Sequence, residues 1–156
     1  MKTLIKILQQ KRLTIAVAES CTGGNLSALL SSQSGASSYF DRGYITYSNQ
    51  AKIDMLAVRP TTLTKFGAVS EQTALEMVQG VMQNAGSDIG VSITGIAGPT
   101  GATQDKPVGT VCFGFCILSE YTANTQHFTG NRQQVVQSSV DFVTTTLTKQ
   151  LLGSNI

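Results

Sequence analysis

The chain has no tryptophan, one histidine and three cysteines, and only 13% of its 156 residues are charged. Aromatic residues make up 6%. Without tryptophan, and with Phe and Tyr dispersed, a base-stacking platform for single-stranded nucleic acid is not expected. The formal net charge of +2 comes from scattered Lys and Arg, so no nucleic-acid footprint is expected either. No apolar run approaches the ~18 residues of a membrane span, so no membrane partner is expected. The first residues, MKTLIKILQQKR, lack a small-residue cleavage site. They read as a short amphipathic helix through Leu4, Ile5 and Leu8. Cys21, Cys112 and Cys116 have neither the even count of a disulfide framework nor metal-ligand spacing. Cys112 and Cys116 fall in the apolar run GTVCFGFCIL and read as small core residues. Reduced thiols fit the cytoplasm, the expected location.

What is present is a globular composition, 41% hydrophobic, in a length that suits one domain over residues 1–156. The expected elements are a helix at 2–11, a strand at 13–18 and a helix at 21–32. A loop at 34–38 leads to a strand at 39–48 with an irregularity at Gly43. A short helix follows from Gln50 to Val58, with Asn49 as its N-cap, and then a helical turn at 61–66. Ser70 caps a helix whose apolar face is Ala74, Met77, Val78 and Val81. Strands are expected at 88–96, 108–118 and, near an edge, 122–128. A last helix opens at Asn131, where Gln134 completes a box-like cap. Its apolar face is Val136, Val140, Val143, Leu147 and Leu151, which suits a cover for the sheet or a homo-oligomer contact. Alternating elements followed by two successive strands predict a three-layer α/β/α sandwich with a mixed, mainly parallel sheet.

In open α/β sheets, ligands sit beyond the C-terminal ends of strands. Three polar junctions fall at such ends: Glu19–Gly24, Thr46–Lys52 and Thr94–Gly101. In the first, TIAVAESCTGG, a β-branched run ends in small polar residues and two glycines. Such a strand–turn–helix junction aims backbone N–H groups and a hydroxyl into one space. Ser20 sits where a nucleophile elbow would place its hydroxyl, and a serine there is also a preferred helix cap. Cys21 competes with it, because a thiol at a helix N-terminus can be acidified. The only histidine, His127, has no evident carboxylate partner, which leaves lysine as the base of a triad variant. Lys52 is placed in the first turn of a helix, where the dipole and burial both favour the neutral amine. Tyr47, at a strand end, either packs or reaches the site. The glycines of Thr94–Gly101 let backbone approach a ligand, including phosphate. Arg132 is placed to pair with a phosphate or carboxylate, or is simply solvated.

AESCTGG, YITYSNQAK, GAVSEQTA, SITGIAGP, KPVGTV and FTGNR, in this order, closely resemble the C-terminal domain of the competence/damage-inducible protein CinA. The stand-alone form of that family is nicotinamide-nucleotide amidase. The resemblance runs from about Leu4 to Leu152 and does not extend to the larger N-terminal domain of full-length CinA. It implies hydrolysis of the carboxamide of nicotinamide mononucleotide to nicotinate mononucleotide and ammonia, a pyridine-nucleotide salvage step, with no cofactor and no metal. Carried onto this chain, Ser20 matches the nucleophile, Lys52 the base and Tyr47 the site tyrosine. Thr94 and Gly95 match the pocket motif.

In the expected mechanism, N–H groups at Cys21, Thr22 and Gly23 hold the oxyanion. The substrate-binding group adds Asn49, Gly98, Arg132 and Glu19, with Glu19 orienting either Lys52 or a ribose hydroxyl. The chain departs from the family pattern at Thr100 and Ala102, in a loop that is richer in glycine in relatives. It also has GNR rather than GDR at 130–132. A methyl group at Ala102 is expected to narrow the approach to the ligand. A serine amidase for another small amide and a non-catalytic nucleotide-binding module are the alternatives the residues leave open.

Overall fold

A computed structural model describes residues 1–153. Its elements are α1 (Lys2–Lys11), β1 (Ile15–Glu19), α2 (Asn25–Ser31), β2 (Phe40–Ile45), α3 (Asn49–Leu56) and α4 (Pro60–Phe66), followed by α5 (Glu71–Ala85), β3 (Ile89–Gly95), β4 (Thr110–Ile117), β5 (Glu120–His127) and α6 (Arg132–Gly153). A 3₁₀ turn at Ala36–Ser38 occupies the expected loop.

The five strands form one sheet in the order β2-β1-β3-β4-β5. β1 pairs in parallel with β2 and β3, whereas β4 is antiparallel to both β3 and β5. Four strands therefore run one way and β4 alone runs the other. The register irregularity between β1 and β2 lies where Ile15 pairs with Phe40 and Ala16 with Arg42, so Asp41 is the extra residue, not Gly43.

Helices cover both faces. Leu4, Leu8, Leu26, Leu30, Val140, Val143 and Leu147, from α1, α2 and α6, pack on Ile15, Val17, Val91, Phe113 and Phe115. On the other face Ala16 and Ala18 meet Leu56, Leu63, Met77 and Val81 from α3, α4 and α5. β1 is buried along its whole length because both layers cover it. The chain leaves β1 through α2 in one layer and leaves β2 through α3, α4 and α5 in the other. β1 thus lies at a topological switch point, where open α/β sheets place their ligands.

Several boundaries differ from expectation. α2 starts at Asn25, not at residue 21, because Gly23 and Gly24 have φ of 55° and 98° and left-handed residues break the helical path. The α6 face adds Val135, fully buried, to the expected Val136, which is partly buried against the same core, and the face covers the sheet. The reciprocal cap is present: Asn131 N–H donates to Gln134 Oε1 at 2.8 Å and Gln134 N–H donates to Asn131 Oδ1 at 3.1 Å. Among the described residues no helix is long and apolar enough to cross a membrane.

Candidate active site at the ends of β1, β2 and β3

The three polar junctions meet in one cleft of about 260 Å³. β1 delivers Ser20 and Cys21, the β2–α3 turn delivers Tyr47, Asn49 and Lys52, and β3 with its loop delivers Thr94, Gly95, Gly98, Thr100 and Gly101. Arg132 closes the wall from the start of α6, and Ala68 and Val69 close it between α4 and α5. A larger cleft of about 400 Å³ lies at the far end of the sheet, against Leu118 and Lys149, away from these groups.

Backbone bonds fix the turn that carries Ser20. Its N–H donates to the Ile93 carbonyl at 2.9 Å, and its carbonyl accepts from Gly23 N–H at 3.1 Å. The hydroxyl faces Lys52, whose Nζ lies 3.0 Å from Ser20 Oγ and 2.9 Å from the Thr46 carbonyl. Ser20 Oγ is also 3.5 Å from the Tyr47 carbonyl.

Lys52 is 1% exposed and, among the described residues, forms no ion pair. Burial lowers its pKa from 10.5 to about 8, an effect only partly opposed by the neighbouring Cys21. With an uncharged amine the 3.0 Å contact reverses, and Ser20 donates to the nitrogen lone pair. A serine hydroxyl within reach of a neutral amine is the geometry of base-assisted nucleophilic attack.

Cys21 is a poor rival. Burial pushes its thiol up to about 12, outweighing its own backbone N–H and the charges of Lys52 and Arg132. His127 is remote from this site: it lines a separate cleft and its Nδ1 lies 3.2 Å from Thr110 Oγ1.

Tyr47 and Arg132 form one unit at the mouth. Tyr47 is 60% exposed, and its hydroxyl accepts from Arg132 Nη2 at 2.9 Å. Arg132 Nη1 donates to the Gly98 carbonyl at 2.9 Å. Among the described residues, Lys52 and Arg132 are the charged residues of the cleft wall, and no carboxylate lines it. Thr94 turns its hydroxyl to the Ala68 carbonyl at 2.8 Å, tying β3 to the α4–α5 connection. Lys106 ties the glycine-rich loop to the same connection through the Phe66 carbonyl, also at 2.8 Å.

Some expectations change. Glu19 lines no part of the cleft, and its carboxylate is bonded to the start of α2 and not to Lys52. It is fully buried, and its carboxylate accepts from the N–H groups of Gly24, Leu26 and Ser27 and from Ser27 Oγ. Thr22 and Gly23 also stand outside the cleft wall. Asn49 lines the cleft but is not the cap of α3: Ser48 accepts from Ala51 N–H at 3.0 Å. Ala102 is exposed and outside the wall, so its methyl group does not narrow the cleft; Thr100 is the substituted loop residue that lines it.

Sequence reasoning missed Ala68, Val69 and the Thr46 carbonyl. The first two come from an apolar connection with no polar signal, and a carbonyl has no sequence signature. Among the described residues, no three His, Cys, Asp or Glu side chains cluster as metal ligands.

Residues 1–151 match the family model of the CinA C-terminal domain. A protein of Clostridium novyi named as competence-damage inducible is 48% identical over 99% of this chain, and the match covers 37% of that protein. A CinA-like protein of Kosmotoga olearia is 44% identical over 90% of this chain and 35% of its own. The chain thus spans little more than a third of these relatives. Among solved structures, a CinA superfamily protein of Klebsiella pneumoniae superimposes with a TM-score of 0.93 at 36% identity, covering 97% of this chain and 95% of that one. A competence or damage-inducible protein of Enterobacter asburiae gives a TM-score of 0.92 at 40% identity over 96% and 94% of the two chains.

Proposed function

The chain belongs to the CinA C-terminal domain family, and on that footing we propose that it is a nicotinamide-nucleotide amidohydrolase. It would convert nicotinamide mononucleotide and water to nicotinate mononucleotide and ammonia. The observation that carries the reading is the buried contact of 3.0 Å between Lys52 Nζ and Ser20 Oγ. A lysine that only served solubility would keep its ammonium in water.

In this reaction neutral Lys52 takes the hydroxyl proton as Ser20 Oγ attacks the carboxamide carbon. Negative charge develops on the amide oxygen. The N–H of Cys21, the residue of this turn that lines the cleft beside Ser20, makes no bond to another backbone group among the described residues and is placed to receive it. The N–H of Gly23 is excluded, because it is bound to the Ser20 carbonyl. Lys52 then returns its proton to the leaving nitrogen, and ammonia departs. Water, deprotonated by the same amine, cleaves the acyl-enzyme and releases the carboxylate.

The charge of the wall supports a phosphate-bearing amide. Lys52 and Arg132 contribute positive charge, and among the described residues no carboxylate of the wall opposes it. Arg132 is exposed, and a guanidinium offers five N–H donors, of which two directions are engaged here. The remaining donors suit a phosphate.

Hydrolysis of nicotinamide mononucleotide, nicotinamide riboside and nicotinamide by the same preparation tests this reading. The expected order of kcat/KM puts the mononucleotide first by at least about tenfold, the scale of one lost charged contact. Equal rates on all three would remove the phosphate from recognition. Faster hydrolysis of an unrelated amide would move the assignment to another serine amidase.

A further inference from the structure

We propose that Glu19 is a positioning residue: its buried carboxylate holds the Ser20–Gly24 turn in its reactive shape and withdraws the α2 N-terminus from the chemistry. The proposal rests on the Ser20–Lys52 reading above.

Glu19 is fully buried and, among the described residues, has no cationic partner. Four donors satisfy it instead. Oε2 accepts from Gly24 and Leu26 N–H, each at 3.1 Å. Oε1 accepts from Ser27 N–H and from Ser27 Oγ, each at 2.7 Å. Those N–H groups are the orphan donors of the α2 start, and an anion there also meets the positive end of the helix. The helix terminus that would otherwise face a substrate anion is already occupied by the protein's own carboxylate. The turn between Glu19 and Gly24 is therefore clamped at both ends. β1 holds its start, and the carboxylate holds its finish.

The backbone of the same residue is linked to Lys52 through Thr46. The Glu19 carbonyl accepts from Thr46 N–H at 2.8 Å, and the Thr46 carbonyl accepts from Lys52 Nζ. Nucleophile and base are thus referenced to one position of β1. Gly43 of β2 completes the arrangement. A Cβ there would come within 2.2 Å of Ser27 Oγ, so the glycine leaves room for the hydroxyl that Glu19 holds.

A carboxylate outside the cleft wall can alter alignment without altering substrate contacts. The Glu19→Gln variant keeps the size but replaces one acceptor oxygen by an amide NH₂ that faces donors. Its steady-state hydrolysis of nicotinamide mononucleotide from pH 6 to 10 is compared with wild type, together with thermal melting and amide hydrogen exchange at residues 20–27. The expected result is a fall in kcat of at least about tenfold with KM within about twofold, as misalignment of a nucleophile predicts. The acidic limb of the pH profile stays where it was, since burial and not a carboxylate sets the Lys52 amine. Exchange quickens at residues 20–27 alone.

An unchanged kcat overturns the proposal. A tenfold rise in KM makes Glu19 a substrate ligand, and a displaced acidic limb makes it an electrostatic partner of Lys52; either overturns it as well. Should Glu19→Gln fail to fold, Ser27→Ala removes one donor and keeps the charge. That variant is expected to lose about threefold in kcat at constant KM, and a wild-type kcat would overturn the proposal. Wild-type protein that leaves nicotinamide mononucleotide intact ends the amidase reading and leaves the exchange data to decide. In that case unaltered exchange at residues 20–27 in Glu19→Gln overturns the clamp itself.

Discussion

At the scale of single residues, Lys52 keeps its nitrogen against Ser20 Oγ and the Thr46 carbonyl, in a setting without counter-charge. Burial lowers its pKa to about 8, so the uncharged amine, the proposed base, accumulates as pH rises. The kcat/KM profile is expected to climb through a single acidic limb near pH 8 and to flatten above it, as a base that must be neutral requires. A profile already flat from pH 6 would contradict this.

The same shift sets a stability trend. Between about 8 and 10.5 the unfolded chain binds a proton at Lys52 that the folded chain does not, so folding stability rises with pH across that window. Below it the burial penalty is present in full. From 10.5 to about 8, at ~1.4 kcal/mol per pH unit, that penalty is on the order of 3 kcal/mol. Lys52→Met should therefore melt at a higher temperature than wild type at pH 7 while losing hydrolysis. A lower melting temperature would mean that the ammonium contributes stability through its two carbonyl and hydroxyl contacts. Cys21→Ala should retain turnover, because a thiol pushed up to about 12 supplies almost no thiolate at neutral pH.

At the scale of elements, α3 carries Lys52 into the cleft and α5 braces α3. Ser48 caps α3 through Ala51 N–H. Ser48→Ala should cost about 1 kcal/mol in denaturant unfolding. Gly80 of α5 lies under the Leu56 carbonyl, and a Cβ there would approach it to 2.2 Å. Gly80→Ala should push the C-terminal end of α3 away and cost about 1–3 kcal/mol, the usual range for overpacking. Full stability of that variant in urea would show that α3 and α5 separate freely.

Much at this scale was legible from the sequence. Ser70 and the Asn131–Gln134 pair cap their helices as their spacing predicts. The periodic faces of α5 and α6 pack on the sheet as expected, with Val135 more deeply buried than Val136. Two local choices were not legible. Ser48 and Asn49 are both good caps, and only the backbone conformation at Ser48, extended at ψ 163°, selects the first. The late start of α2 depends on two left-handed glycines, and glycine permits that conformation without dictating it.

At the scale of the whole molecule, the strand order β2-β1-β3 gathers chemistry from distant parts of the chain. Ser20, Lys52, Thr94 and Arg132 meet because three neighbouring strands end on one side of the sheet and α6 begins there. The polar junctions were readable as strand ends, and the preference of ligands for such ends predicted their meeting. What each residue does inside the cleft was less readable. Glu19 sits beside Ser20 in the sequence, yet its side chain turns to α2. Alternation along a strand sends successive side chains to opposite faces, and the carboxylate follows its own face. The contributions of Ala68 and Val69 depended on how α4 and α5 meet, a tertiary matter with no local signature.

Ser20, activated by Lys52, is proposed to hydrolyse a nucleotide carboxamide. The most direct test of this proposal is ammonia release from nicotinamide mononucleotide by the purified protein in the presence of a metal chelator, with Ser20→Ala measured alongside. One ammonia is expected for each nicotinate mononucleotide formed, with a rate untouched by the chelator and a loss in kcat of at least about 10³-fold in Ser20→Ala. Release that persists in Ser20→Ala, or that stops with the chelator, would contradict the proposal.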